Sequence, residues 1–342
     1  MAPKKLIACF LFTLFTSSPV FAGHDSEPIY KKGDAECSIW GYSNVIGGSK
    51  RDFMADQIRT ETSCKYKSFS FFMENDIAGL NDRIPANYIT QAWVGYNFGK
   101  AGLFGNMFSD TTIRAGSLVT AARLYQPAAY ATIPIEDPTN PFHPYGYGVQ
   151  IQTKITPNLT FVGDITGATG LPFDNPRRFE GTETSQRLAW DAVHDKETGR
   201  TKLQLSLFHQ WSAEADKIGF GAKYSPTENL ELYGGVYHMD EHAPSKKPGE
   251  SNGGYVLADQ KVWSMKNNKL DLRVMGMVEK TTGKEDYTGV SVGPSLVLPK
   301  NGGYGRLTDS SVTVDLTHSK TSIDGGPQIN DNAIMTRFRI FF

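Results

Sequence analysis

Residues 331–342 read DNAIMTRFRIFF, and their alternation decides the fold class. Counted back from the end, Phe342, Ile340, Phe338, Thr336 and Ile334 fall on one side of an extended chain. Phe341, Arg339, Arg337, Met335 and Ala333 fall on the other. One side is mostly apolar; the other carries two neighbouring cations. Such a strand suits a wall between lipid and water, although a strand of a soluble sheet can alternate in the same way.

The same period recurs upstream. Leu270, Leu272, Val274 and Val278 alternate with Asp271, Arg273, Met275 and Glu279. Ile218, Phe220, Ala222 and Tyr224 alternate with Lys217, Gly219, Gly221 and Lys223. Leu203, Leu205 and Leu207 alternate with Lys202, Gln204 and Ser206, and Val312, Val314 and Leu316 with Thr313, Asp315 and Thr317. No long stretch has a helical period. The pattern predicts sixteen strands, near 37–46, 52–62, 64–76, 86–98, 109–119, 144–155, 158–166, 184–194, 201–211, 216–224, 229–239, 253–265, 269–280, 286–298, 308–319 and 331–342. The second alternates poorly, and fourteen strands is the alternative. With sixteen, the Pro- and Asn-rich turns at Thr62-Ser63, 156–158, 225–229 and 266–268 fall on one rim, and the long connections 120–143, 167–183, 240–252 and 320–330 on the other. Both termini then lie on the periplasmic side. The expected fold is an all-β, antiparallel transmembrane barrel.

Composition agrees. The chain has 342 residues, 39% of them hydrophobic, with a net charge of −1. That charge gives no general affinity for nucleic acid. The mean hydropathy of −0.36 excludes a bundle of membrane helices, each of which needs about 20 consecutive apolar residues. It does not exclude a barrel.

Residues 1–22 read as a secretory signal peptide: Lys4 and Lys5, then the apolar run Leu6–Phe15, then Val20-Phe21-Ala22 as cleavage site. Residues 23–36 are expected to form a short periplasmic segment, and 37–342 a single barrel. Two cysteines remain after cleavage, Cys37 and Cys64. An exported chain meets oxidising conditions, so they are candidates for one disulfide, with two separate thiols as the alternative.

The signal peptide, the TRFRIFF ending, the strand–turn rhythm and the segment TIRAGSLVTAARLYQP (112–127) together resemble a Gram-negative outer-membrane porin of the general diffusion type. The resemblance implies a water-filled channel for passive diffusion of small hydrophilic solutes and ions, commonly a homotrimer. Its partners would be outer-membrane lipid, lipopolysaccharide and the barrel assembly machinery. Phe338, Ile340 and Phe342 would form the assembly signal. The third outer loop, 120–143, would fold inward with Glu136 and Asp137 facing wall cations. Arg114, Arg123, Arg187, Arg273, Arg337 and Arg339 are the candidates for that constriction. The two acids lying on a solvated loop tip is the competing reading. Some of the arginines are also expected to pair with Asp164, Asp191, Asp271, Asp315 or Glu279. Near balance of inward charge predicts weak selectivity, with anions slightly favoured near Arg337 and Arg339.

Chemistry is not evident. A serine hydrolase of the outer-membrane phospholipase type needs a histidine before Ser251-Asn252-Gly253, where this chain has Gly249-Glu250. His238 and His242 straddle a strand end, which removes the shared helical face that zinc sites use. No enzyme, metal or cofactor is expected. A substrate-specific channel of the anion or phosphate type, and a plugged barrel acting as adhesin or surface antigen, are the alternative functions.

Overall fold

The computed structural model describes residues 28–49, 51–78, 86–99, 109–122, 145–167, 181–195, 201–242, 249–265, 270–283, 285–298, 310–323 and 326–341. Its elements are β1 (Tyr30–Lys32), β2 (Ala35–Gly48), β3 (Arg51–Tyr66), β4 (Phe69–Ala78), β5 (Ala86–Asn97), β6 (Ser109–Val119), β7 (Tyr145–Thr156), β8 (Leu159–Gly167), β9 (Thr182–His194), β10 (Thr201–Trp211), β11 (Ala215–Thr227), β12 (Leu230–Glu241), β13 (Gly249–Ser264), β14 (Asp271–Thr282), β15 (Glu285–Leu298), β16 (Ser310–Ile323) and β17 (Ile329–Phe341). From β2 onward each strand pairs antiparallel with the next, and β17 returns to β2. Sixteen strands therefore close a cylinder, with no free edge to satisfy. The fourteen-strand alternative is overturned, because the weakly alternating second strand is β3, paired along both sides.

Segment 28–36 is not a plain extension. β1 folds onto the start of β2 in a two-residue hairpin, Tyr30 opposite Cys37 and Lys32 opposite Ala35. Gly33 supplies the positive φ (59°) that the tight turn needs.

Several strand bounds match the periodicity, with β6 and β10 falling on 109–119 and 201–211. The turn expected at Thr62-Ser63 is a correction. Both residues lie inside β3, opposite Met73 and Phe72, and the chain reverses at Lys67-Ser68. Thr and Ser are turn formers in isolation, but here they extend a strand whose neighbours offer a full hydrogen-bond ladder. The turns at 157–158 and 228–229 share one device. Thr156 Oγ1 accepts from the Asn158 N–H, and Thr227 Oγ1 accepts from the N–H groups of Asn229 and Leu230. The two longest connections, 120–144 and 168–181, leave the rim opposite the termini. Connection length is less one-sided than expected: 98–108 and 299–309 lie on the rim of the termini, while 49–50 and 283–284 are short turns on the other.

The faces sort by polarity with period two. Val94, Ile165, Leu207, Phe220, Val236, Val256, Val278, Leu316 and Ile340 are exposed on the outside. Glu74, Asp76, Asp164, Lys217, Asp259, Arg273, Asp315 and Arg339 are buried on the inside. That is a soluble protein turned inside out, and a large continuous apolar exterior marks a surface that lipid covers.

Candidate functional site

The interior wall carries three chemically distinct zones. The first spans β17, β2, β3, β4 and β5. Successive inward positions on β3 are Gln57, Arg59 and Glu61, and on β4 they are Phe72, Glu74 and Asp76, so pairing in register brings them side by side. Arg59 donates through Nε and Nη2 to the two Asp76 oxygens at 2.7 and 2.6 Å, and its Nη1 lies 3.2 Å from Glu74. Gln57 donates to Asp76 at 3.0 Å, and Gln91 to Glu74 at 3.1 Å. Tyr42, on β2 between the flanking strands, takes the Arg59 guanidinium at 5.7 Å from its ring centre and that of Arg339 at 4.5 Å. Arg339 Nε donates to Asn44 at 3.0 Å. The result is a belt of opposite charges held rigid by forked, charge-assisted bonds.

The second zone is polar and runs over β6 to β11. Arg114 stands 4.6 Å from the Trp93 ring and donates to Gln150 at 3.3 Å. Gln150 donates to the Val119 carbonyl and to Asp164. Asp164 also accepts from Ser185 Oγ at 2.7 Å and from the Ala121 N–H. Arg187 donates to Gln204, which donates to Asp191. Lys217 donates to Gln210, which donates to Glu183.

The third zone, over β10 to β14, is apolar. Tyr233, Leu257, Met275 and Met277 pack together, as do Phe208 and Tyr237, and Tyr255 touches both groups. The rings lie along the wall because their neighbours lack side chains. A Cβ on Gly219 would collide with the Phe208 ring, and one on Gly253 with the Tyr237 ring. Ala122, just after β6, packs against Phe208 and Tyr237 from across several strands. Below this zone Arg273 and Asp259 form a pair at 2.8 Å, both buried.

Of the residues singled out in the sequence, Arg114, Arg187, Arg273, Arg337 and Arg339 all stand on inward positions, and Phe338 and Ile340 face outward. Arg339 joins the charged belt, and Arg273 is bound to Asp259. Arg123, Glu136, Asp137 and Phe342 lie outside the described residues, as does loop 120–143 beyond Ala122. Cys37 and Cys64 are direct cross-strand partners, 4.1 Å apart at Cα, and form a disulfide. The sequence reading did not single out Arg59, Glu61, Glu74 or Asp76. Charges at every second position in QIRTE and FMEND were the available signal. No group of three or more metal-type ligands converges among the described residues.

No protein-family model matches the sequence, and no curated protein matches it. Solved structures do. The outer-membrane channel DcaP of Acinetobacter baumannii superposes with a TM-score of 0.60 at 9% identity, over 92% of this chain and 99% of that one. The anion-selective porin of Comamonas acidovorans gives 0.59 at 11%, over 90% and 100%. OmpT, an outer-membrane protein of Vibrio cholerae, gives 0.56 at 10%, over 93% and 100%.

Proposed function

We propose that this chain, whose fold is that of the outer-membrane porins, is a water-filled channel of the bacterial outer membrane. It passes small hydrophilic solutes and ions down their gradients, with no chemical step. The observation that carries the reading is the inversion of polarity: an apolar exterior around an interior belt in which Arg59 is paired with Glu74 and Asp76 while Arg339 lies over the Tyr42 ring. Opposed fixed charges on a water-filled bore filter solutes by charge and size. Loop 120–143 narrows that bore. Its first residues support this, since Ala121 is tied to Asp164 and Ala122 packs on Phe208 and Tyr237. Glu136 and Asp137 on this loop face the wall arginines Arg114, Arg337 and Arg339, and Arg123 on the loop itself adds a cation to the constriction. The mixed charges predict weak ion selectivity.

Planar-bilayer recording of the purified mature protein tests this. Steady conductance steps with a small reversal potential under a salt gradient are expected, arriving in threes for a trimer. Silence from folded protein would overturn the channel. The aromatic and methionine zone favours a second reading, a channel selective for solutes with an apolar face. Block of the current by such solutes, but not by simple sugars or phosphate, would favour it.

A further inference from the structure

β15 carries an interior strip of small residues. Between Tyr287 and Val297 its inward positions are Gly289, Ser291, Gly293 and Ser295, all buried. Pairing with β16 lapses within the strip, at Gly293 and Pro294, between the pairs Val292–Leu316 and Ser295–Thr313. Pro294 stands opposite Val314 there and brings no N–H to it. The Val314 carbonyl oxygen and Asp315 Oδ1 both lie over Gly293, where a Cβ would collide with them. The glycine thus floors a notch walled by oxygen. Other hydroxyls nearby are bonded: Ser295 meets Thr313 at 2.8 Å, and Thr317 donates to the Ala333 carbonyl. Asp315 and Ser291 differ. They are only 1% and 2% exposed. Neither Asp315 oxygen, nor the Ser291 hydroxyl, has a hydrogen-bond partner among the described residues. The surrounding cations do not supply one. On β17, Met335 stands opposite Asp315 and Arg337 opposite Thr313. Arg337 gives Asp315 no hydrogen bond, and Oδ1 leans the other way, toward β15. On β14, Met275 stands opposite Gly293, and Arg273 is held by Asp259. A carboxylate so enclosed is costly to keep without a bonded partner.

We propose that this notch binds the primary ammonium group of a small solute, with Asp315 taking the charge. The inference rests on the porin reading and adds a solute class to it. A primary ammonium has three N–H donors and no acceptor. The notch offers the complement: the Asp315 carboxylate, the Val314 carbonyl and the Ser291 hydroxyl. Bonds between an ammonium and a carboxylate are among the strong ones, the more so away from bulk water. The acceptors lie on one side only. That suits a head group at the end of an alkyl stem, whereas hard metal ions take about six to eight oxygens all round. Met275 and Met335, in the same row on either side of Gly293 and Asp315, give the stem an apolar, adaptable bed. Entry from the bore needs the partly buried Met335 and Arg337 side chains to part, so the solute is held at the wall and not merely passed.

Saturation-transfer NMR from the folded barrel in detergent to n-butylammonium tests the site. Saturable binding is expected. Asp315→Asn keeps the shape and removes the charge, and should weaken binding roughly tenfold or more. Ser291→Ala should weaken it roughly threefold. Gly293→Ala should abolish it by setting a methyl group in the notch. Asp191→Asn, at an interior acid bonded to Gln204 on the other side of the bore, should leave it intact. Tetramethylammonium, which has the charge but no N–H, should not compete. Folding of each variant is checked by heat-modifiable migration, and conductance is recorded in parallel. Equal binding of tetramethylammonium, displacement of butylammonium by equimolar potassium, or insensitivity to Asp315→Asn would each overturn the inference. A barrel that conducts but binds no butylammonium defeats only this site, whereas a folded barrel that does not conduct defeats the porin reading.

Discussion

The Arg339 guanidinium lies 4.5 Å from the centre of the Tyr42 ring, one strand away across the point where the cylinder closes. The last strand is thus tied to the first by a side-chain contact as well as by backbone pairing. Arg337, two residues earlier, stands on the same interior face. Replacing both arginines by glutamate should shift the reversal potential toward cations, changing the permeability ratio several-fold. An unchanged potential would place both outside the narrow part of the bore.

Arg59 neutralises two buried carboxylates, Glu74 and Asp76. Arg59→Ala strands them, and removing one partner of a buried pair costs about 3–5 kcal/mol. The unfolding midpoint of the barrel in urea should fall accordingly. The triple variant Arg59→Met, Glu74→Gln, Asp76→Asn should recover most of the loss, because the charges leave together. A single variant as stable as the parent would show that solvent already screens the carboxylates.

Glycine at 253 lets the Tyr237 ring lie against the wall. Gly253→Leu should swing that ring into the bore and lower the single-channel conductance. Adding Tyr237→Ala should restore it. If the double variant conducts as poorly as the single one, the defect lies in the backbone and not in the ring.

The Cys37–Cys64 bridge joins residues 27 apart in sequence. A loop of that length predicts about 3–4 kcal/mol from the restricted unfolded chain. The Cys37→Ser, Cys64→Ser variant should lose that amount in urea unfolding, and a reductant present throughout refolding should reproduce the loss in the parent.

Much of the architecture was legible because each strand separates two unlike neighbours. The alternation that put Arg337 and Arg339 inside and Phe338 and Ile340 outside needs no partner to be read. The charged belt was not legible in the same way. Arg59 meets Asp76 only because β3 and β4 pair in one register, with Arg59 opposite Asp76. Reading Thr62-Ser63 as a turn shortened β3 from Tyr66 and misplaced that register. Cross-strand partners are set by where a hairpin turns, and a polar dipeptide within a strand looks like the turn itself. The apolar zone around Phe208 and Tyr237 was hidden for a related reason, since its members come from several strands and the two rings find room only over Gly219 and Gly253 of their neighbours.

The closing pair of strands meets over only seven residues, Tyr42–Gly48 against Met335–Phe341. Below that, β2 is occupied by the β1 hairpin on one side and locked to β3 by the disulfide on the other. The first strand therefore offers an incoming last strand a single short berth, already blocked at its lower end. A misstep of one residue in that berth would exchange the two faces of β17. It would carry Arg337 and Arg339 into lipid, at a cost that rises with depth from about 0–1 kcal/mol at the interface toward about 2–4 at the midplane, and Phe338 and Ile340 into water. The hairpin acts as a doorstop for the final join, while the bridge steadies the strand that carries it from the far side. Three residues near the start of the chain thus bear on whether the last strand docks with the correct side facing in.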